Sequence, residues 1–189
     1  MSEVTEVDYG PLQDLIGIWQ GDKGLDVAPD PEGAENSPYY ESINYSACGD
    51  VTNAETQVLA AIYYRQIVKR KSDNSVFHDQ TGYWMWDAAR QLIMHSLTIP
   101  RAVCVLAGGQ YTGSKTPDGS VIIEVVADVD NPDWAIIQSP FMQGNARTTS
   151  FSQNIVLGNG KLSYAQTMMV SIYGKTFEHT DKNELTLSS

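Results

Sequence analysis

The chain has 189 residues, of which 42% are apolar and 19% charged. This is an ordinary globular balance at the length of a single domain, 1–189. Twelve Lys and Arg stand against twenty-three Asp and Glu, for a formal net charge of −11. That excess leaves no basic stripe for displacing counterions from nucleic acid, and it disfavours anionic membrane surfaces.

Charge therefore points to a small ligand or a protein partner, and a homodimer stays open. The first residues, Met1 to Asp8, are acidic and lack the basic and apolar regions of a signal peptide. No apolar run approaches the ~20 residues of a membrane helix, so the cytoplasm is the expected address. The two cysteines, Cys48 and Cys104, lie far apart among small or apolar neighbours. They read as buried free thiols rather than a disulfide framework.

Residues 1–10 read as an N-terminal tail. Pro11 to Ile16 can form one helical turn, with Pro11 at a favourable early position and Gly17 as the stop. Period-two alternation then dominates. It predicts strands at Gly17–Gly21, Tyr39–Cys48, Thr56–Lys71, Val76–Trp86, Gln91–Ile99 and Ala102–Ala107. Further strands are expected at Val121–Val129, Trp134–Ile137, Arg147–Leu157, Lys161–Ile172 and Thr176–Leu187. Between the first two, residues 22–38 carry three prolines, two glycines and several acids, and predict a long loop at one mouth of the barrel. Lys69-Arg70-Lys71 before Ser72-Asp73-Asn74 reads as a solvated turn.

Asn159-Gly160 is a strong hairpin signal, since both central residues of such a turn need positive φ. A meander of this many short-linked strands closes on itself to remove its edges. The expected fold is all-β: a closed antiparallel up-and-down β-barrel of about ten strands with a short N-terminal helical turn. At that strand number the interior is wider than side chains alone can fill, so a cavity follows.

Familiar catalytic and metal patterns are missing. Gly108 to Thr116 imitates a phosphate loop but runs into a strand instead of a helix. Asp128 to Asp133 imitates a calcium loop but places Pro132 where a ligand belongs. The histidines His78, His95 and His179 are too scattered for a zinc cluster, yet one could serve as a single axial ligand. Parity puts His78, Gln80, Gly82, Trp84 and Trp86 on one face, with Phe77, Tyr83 and Met85 on the other. In Lys161–Ile172, Leu162, Tyr164 and Met168 oppose Ala165, Thr167 and Met169.

The order of these segments resembles the nitrobindin family, haem-binding barrels with a fatty-acid-binding-protein-like fold of the calycin type. Pro11 to Gly21 is similar to that family's helical turn running into a Gly-x-Trp-x-Gly strand. Phe77 to Trp84 resembles its His-x-Glu-x-Gly-aromatic strand, with Gln80 where the acid is usual. Pro100 to Gly109 and Leu162 to Met169 fit the two later segments. The resemblance implies haem b in the barrel cavity, nitric oxide binding and isomerisation of peroxynitrite to nitrate. It implies His179 as the ligand to the haem iron, Met169 and Tyr164 in the pocket, Trp19 at the barrel floor and His78 nearby. On strict alternation His179 shares its face with Asp181 and Asn183.

The alternative from another class is a non-enzymatic carrier of a fatty acid or other small apolar ligand. Arg65, Arg90, Arg101 or Arg147 would anchor its carboxylate, helped by Tyr63 and Tyr164.

Overall fold

The computed structural model describes residues 7–188. A 3₁₀ turn over Gly10–Leu15 leads into β1 (Gly17–Asp30), β2 (Gly33–Asn53), β3 (Gln57–Arg70), β4 (Val76–Asp87) and β5 (Leu92–Ile99). There follow β6 (Val103–Gln110), β7 (Val121–Asp128), β8 (Ile136–Gln138), a short helix α1 (Pro140–Asn145), β9 (Ala146–Gly158), β10 (Lys161–Ile172) and β11 (Lys175–Leu187). All pairings are antiparallel. β1 pairs with both β2 and β11, and β5 pairs with β6, so ten strands close into a barrel with β8 as an extra strand. No helix among the described residues is long and apolar enough to cross a membrane.

Alternation decides which side chains go inside. Trp19, Ile43, Tyr45, Ile62, Trp84, Ile155, Leu162 and Leu185 face inward and pack one half of the lumen. The 3₁₀ turn plugs that end: Leu12 and Leu15 are fully buried, and Trp19 Nε1 donates to the Leu15 carbonyl at 2.7 Å. The 3₁₀ segment is short and is closed by i→i+3 bonds, Leu12 N–H to the Tyr9 carbonyl at 3.0 Å and Ile16 N–H to the Gln13 carbonyl at 3.4 Å.

Several expectations need correction. Residues 22–38 form no loop. They are the outer arm of a β1–β2 hairpin, paired from Gly24 opposite Tyr39 to Asp30 opposite Gly33. Most of the tip is exposed, so it needs no apolar alternation, and Pro29 and Pro31 fall at and beside the turn where prolines are tolerated. A bulge between Gly21 and Gly24 starts the arm. Of the expected N-terminal tail, residues 1–6 lie outside the described residues, but Tyr9 is buried and its hydroxyl accepts from Gly49 N–H at 2.9 Å. Cys48 and Cys104 are free but exposed. Cys104 lies on the outer face of β6, and Cys48 beside a β2 bulge. Helix α1 was not foreseen. Its signal was short: Ser139 caps Met142 N–H through Oγ at 3.3 Å, with Pro140 at the first position.

Gly82 has a physical role. A Cβ there would lie 1.9 Å from the Ser96 carbonyl oxygen, which is backbone and cannot move aside. We expect Gly82→Ala to destabilise the barrel by about 1–3 kcal/mol, as overpacking does, seen as a lower urea midpoint at unchanged slope.

Candidate functional site

The end of the barrel away from the 3₁₀ plug is hollow. A cavity of ≈ 350 Å³ opens there, within the range of small-ligand sites. Larger depressions, such as one of ≈ 530 Å³ over Gln20, Tyr40 and Lys69, lie on the outer surface and open to solvent. The cavity walls include Val68, Phe77, Ile99, Val103, Met168 and Val170. Phe77 joins His78 there because β4 bulges opposite Val68 and Lys69. Asp26, Ala28 and Pro29 come from the hairpin arm, and Met142 from α1.

His179 faces this cavity, as alternation along β11 requires. Its Nε2 donates to Asp26 Oδ1 at 2.6 Å, and Nδ1 has no hydrogen bond among the described residues. Asp26 sits in β1 directly opposite Asp181 in β11. Asp181 and Asn183, which share the face of His179, also point inward, where they join a hydrogen-bonded cluster beneath the cavity.

That cluster centres on Glu41, which is 4% exposed. Its carboxylate receives Gln66 Nε2 at 2.5 Å, Asn183 Nδ2 at 2.6 Å and the Tyr164 hydroxyl at 3.1 Å. The Tyr39 hydroxyl lies 2.8 Å from that of Tyr164 and donates to Asp181. No cation is bonded to Glu41 among the described residues. Burial pushes its carboxyl up to about 8, with the Asp181 charge adding to the rise. Asp181 is likewise raised to about 6, chiefly by burial.

The expected residues separate by height in the barrel. His179 and His78 line the cavity. Tyr164 belongs to the polar cluster and Trp19 to the plugged floor. Met169 points to the outer face, and Met168, buried and inward, takes the cavity wall. Of the four arginines, only Arg101 reaches the cavity; Arg65 pairs with Asp79 outside, Arg90 with Asp87 in a turn, and Arg147 is exposed. Tyr63 lies on the outer face against Tyr83.

Four residues at the site were missed: Asp26, Glu41, Arg70 and Asp181. Arg70 leaves the expected solvated turn to stand 4.4 Å over the Phe77 ring, paired with Glu35 at 3.1 Å. For Glu41 a signal existed. Within the expected strand Tyr39–Cys48 it is the one acid on the face shared by Tyr39, Ile43 and Tyr45.

A family model described as "THAP4-like, heme-binding beta-barrel domain" matches residues 8–186. Among solved structures the chain is similar to Rv2717c from M. tuberculosis, with a TM-score of 0.68 at 20% identity, covering 95% of this chain and 98% of that one. At that identity the likeness is one of fold. No curated protein matches the chain.

The buried acids make stability depend on pH. Glu41 binds its proton more tightly folded than unfolded, so its contribution is complete below 4.5 and is lost as pH rises through about 8. We expect the melting temperature to fall across that interval. Glu41→Gln, which keeps a neutral hydrogen-bonding group in place, should flatten the decline.

Proposed function

The chain belongs to the THAP4-like haem-binding β-barrel family, the nitrobindin family its sequence resembles, and on that footing we propose that it binds haem b in the upper cavity through His179. The observation that carries this reading is the Asp26–His179 pair. A metal-ligating histidine characteristically gives its second ring N–H to a carboxylate, which fixes the tautomer and strengthens the ligating nitrogen. Here Asp26 holds Nε2–H and leaves Nδ1 as the donor atom.

The rest of the donor set fits the same group. Among the described residues no three His, Cys, Asp or Glu side chains converge to hold a bare ion. A metal at this site would have to bring most of its ligands with it, as a porphyrin does. Met168, Val170, Val68 and Ile99 offer apolar walls, with Met168 in the wall position assigned to Met169 from sequence. Arg70 and Arg101 stand at the cavity as cations for carboxylate substituents. When bound, the iron would supply nitric oxide binding and peroxynitrite isomerisation. The chain would orient the group, exclude water with its apolar walls and hold His179 through Asp26.

Titration of the purified protein with hemin tests this. A Soret band should appear in the wild type and be lost or shifted in His179→Ala, while Asp26→Asn should weaken binding roughly 10- to 100-fold. A band that is absent, or unchanged in His179→Ala, rejects the assignment. A co-purified fatty acid in native mass spectrometry, with no Soret band, would establish the carrier reading instead.

A further inference from the structure

A second line of polar side chains leads from the cavity toward the packed half of the lumen. His78, on β4, lines the cavity and places Nε2 3.2 Å from Gln80 Oε1. Gln80 Nε2 donates to the Tyr64 hydroxyl at 2.6 Å, and that hydroxyl lies 2.8 Å from His95 Nε2 on β5. Gln80, Tyr64 and His95 are each 2% exposed or less. His95 lies flat on Trp84, with ring centroids 3.9 Å apart. Its Nδ1 and Gln153 Oε1 are both buried with no hydrogen-bond partner among the described residues, and Gln153 is close enough to the ring to raise its pKa against the effect of burial.

With the Gln80 amide placed nitrogen toward Tyr64 and oxygen toward His78, counting protons gives the direction of each bond. The Tyr64 hydroxyl accepts from Gln80, and the only other partner its one hydrogen has among the described residues is His95 Nε2, which therefore takes it. His95 is neutral, because burial holds it down at about 3. Its own proton is therefore on Nδ1, and Gln153 Oε1 is the neighbouring buried acceptor left without a partner. At the other end the Gln80 nitrogen is spent on Tyr64, so its oxygen faces His78. An amide oxygen only accepts, so His78 Nε2 carries the hydrogen. Burial also lowers the pKa of His78, with the Arg101 charge acting in the same direction. His78 Nδ1 then holds a bare lone pair, and it has no hydrogen bond among the described residues.

We propose that the chain His95–Tyr64–Gln80 fixes His78 as its Nε2–H tautomer, so that Nδ1 meets the cavity's guest as a hydrogen-bond acceptor. The guest group facing His78 is then one that donates, such as a hydroxyl or a metal-bound water, and a bare anion is disfavoured there. Tyr64, Gln80 and His95 act as positioning residues. None of them lines the cavity. The inference holds whatever the guest is, because the chain lies in the protein itself.

Long-range ¹H–¹⁵N correlation spectra of the imidazole rings, on the ¹⁵N-labelled wild type without added ligand, read the tautomer directly. The expected pattern is Nε2–H at His78 and Nδ1–H at His95. An Nδ1–H pattern at His78, or an average of the two tautomers, overturns the proposal. In Tyr64→Phe the hydroxyl link is gone, and His78 should move to a mixture of tautomers while the methyl spectrum stays folded. An unchanged His78 pattern in that variant overturns the positioning role. If Tyr64→Phe does not fold, Gln80→Leu cuts the chain one bond nearer the cavity and is read in the same way.

Discussion

Pairing of β5 with β6, from Leu92 opposite Gln110 to Ile99 opposite Val103, turns a long antiparallel ribbon into a cylinder. Every other property of the molecule depends on that closure, because it creates an inside. The seam next to it is the thinnest part of the wall. β6 meets β7 at Gly108 opposite Val126, while its first residues turn to β8. The short β8 fills the gap: its backbone pairs with β6, and the Gln138 side chain bonds both the Thr148 carbonyl and the Thr148 N–H of β9, at 2.7 and 2.9 Å. Trp134 closes the same seam against Gly108, at a distance no other residue at 108 would allow.

Closure lowers the effective dielectric of the lumen, and that makes the few polar residues inside decisive. A buried polar group without a partner costs far more than one hydrogen bond contributes. The barrel meets this by layering. Aromatic and aliphatic side chains fill the plugged end, polar networks occupy the waist, and the guest space lies above them. Glu41, Tyr164, Tyr39 and Asp181 satisfy one another on one side, and Gln80, Tyr64 and His95 on the other. The two networks touch the cavity differently. One presents the Asp181 carboxyl and Tyr39, the other the His78 imidazole.

The hairpin arm ties fold to site. Its residues look like loop because they serve no core, yet β1 and β2 stay paired through them and bring Asp26 to the cavity. Without the arm, His179 would lack the carboxylate that holds its ring. Composition alone could not separate a paired polar arm from an unpaired loop, since both are rich in proline, glycine and acids. Strand pairing depends on the partner segment, and Ser37, Asn36 and Glu35 opposite give no apolar signal of their own.

The amino-acid order by itself determined the all-β class, nine of the strand positions to within about three residues, the closed barrel and the family. These depend on period-two alternation and turn chemistry, which are local. It did not determine which of two neighbouring methionines reaches the guest. A shift of one residue reverses every side chain on a strand, and only the packed structure shows Met168 inside and Met169 out. Nor could it bring Asp26 to His179, Glu41 to Asp181's tyrosine, or His78 into line with His95. Those meetings join strands far apart in the chain, and they are decided by register, bulges and closure together.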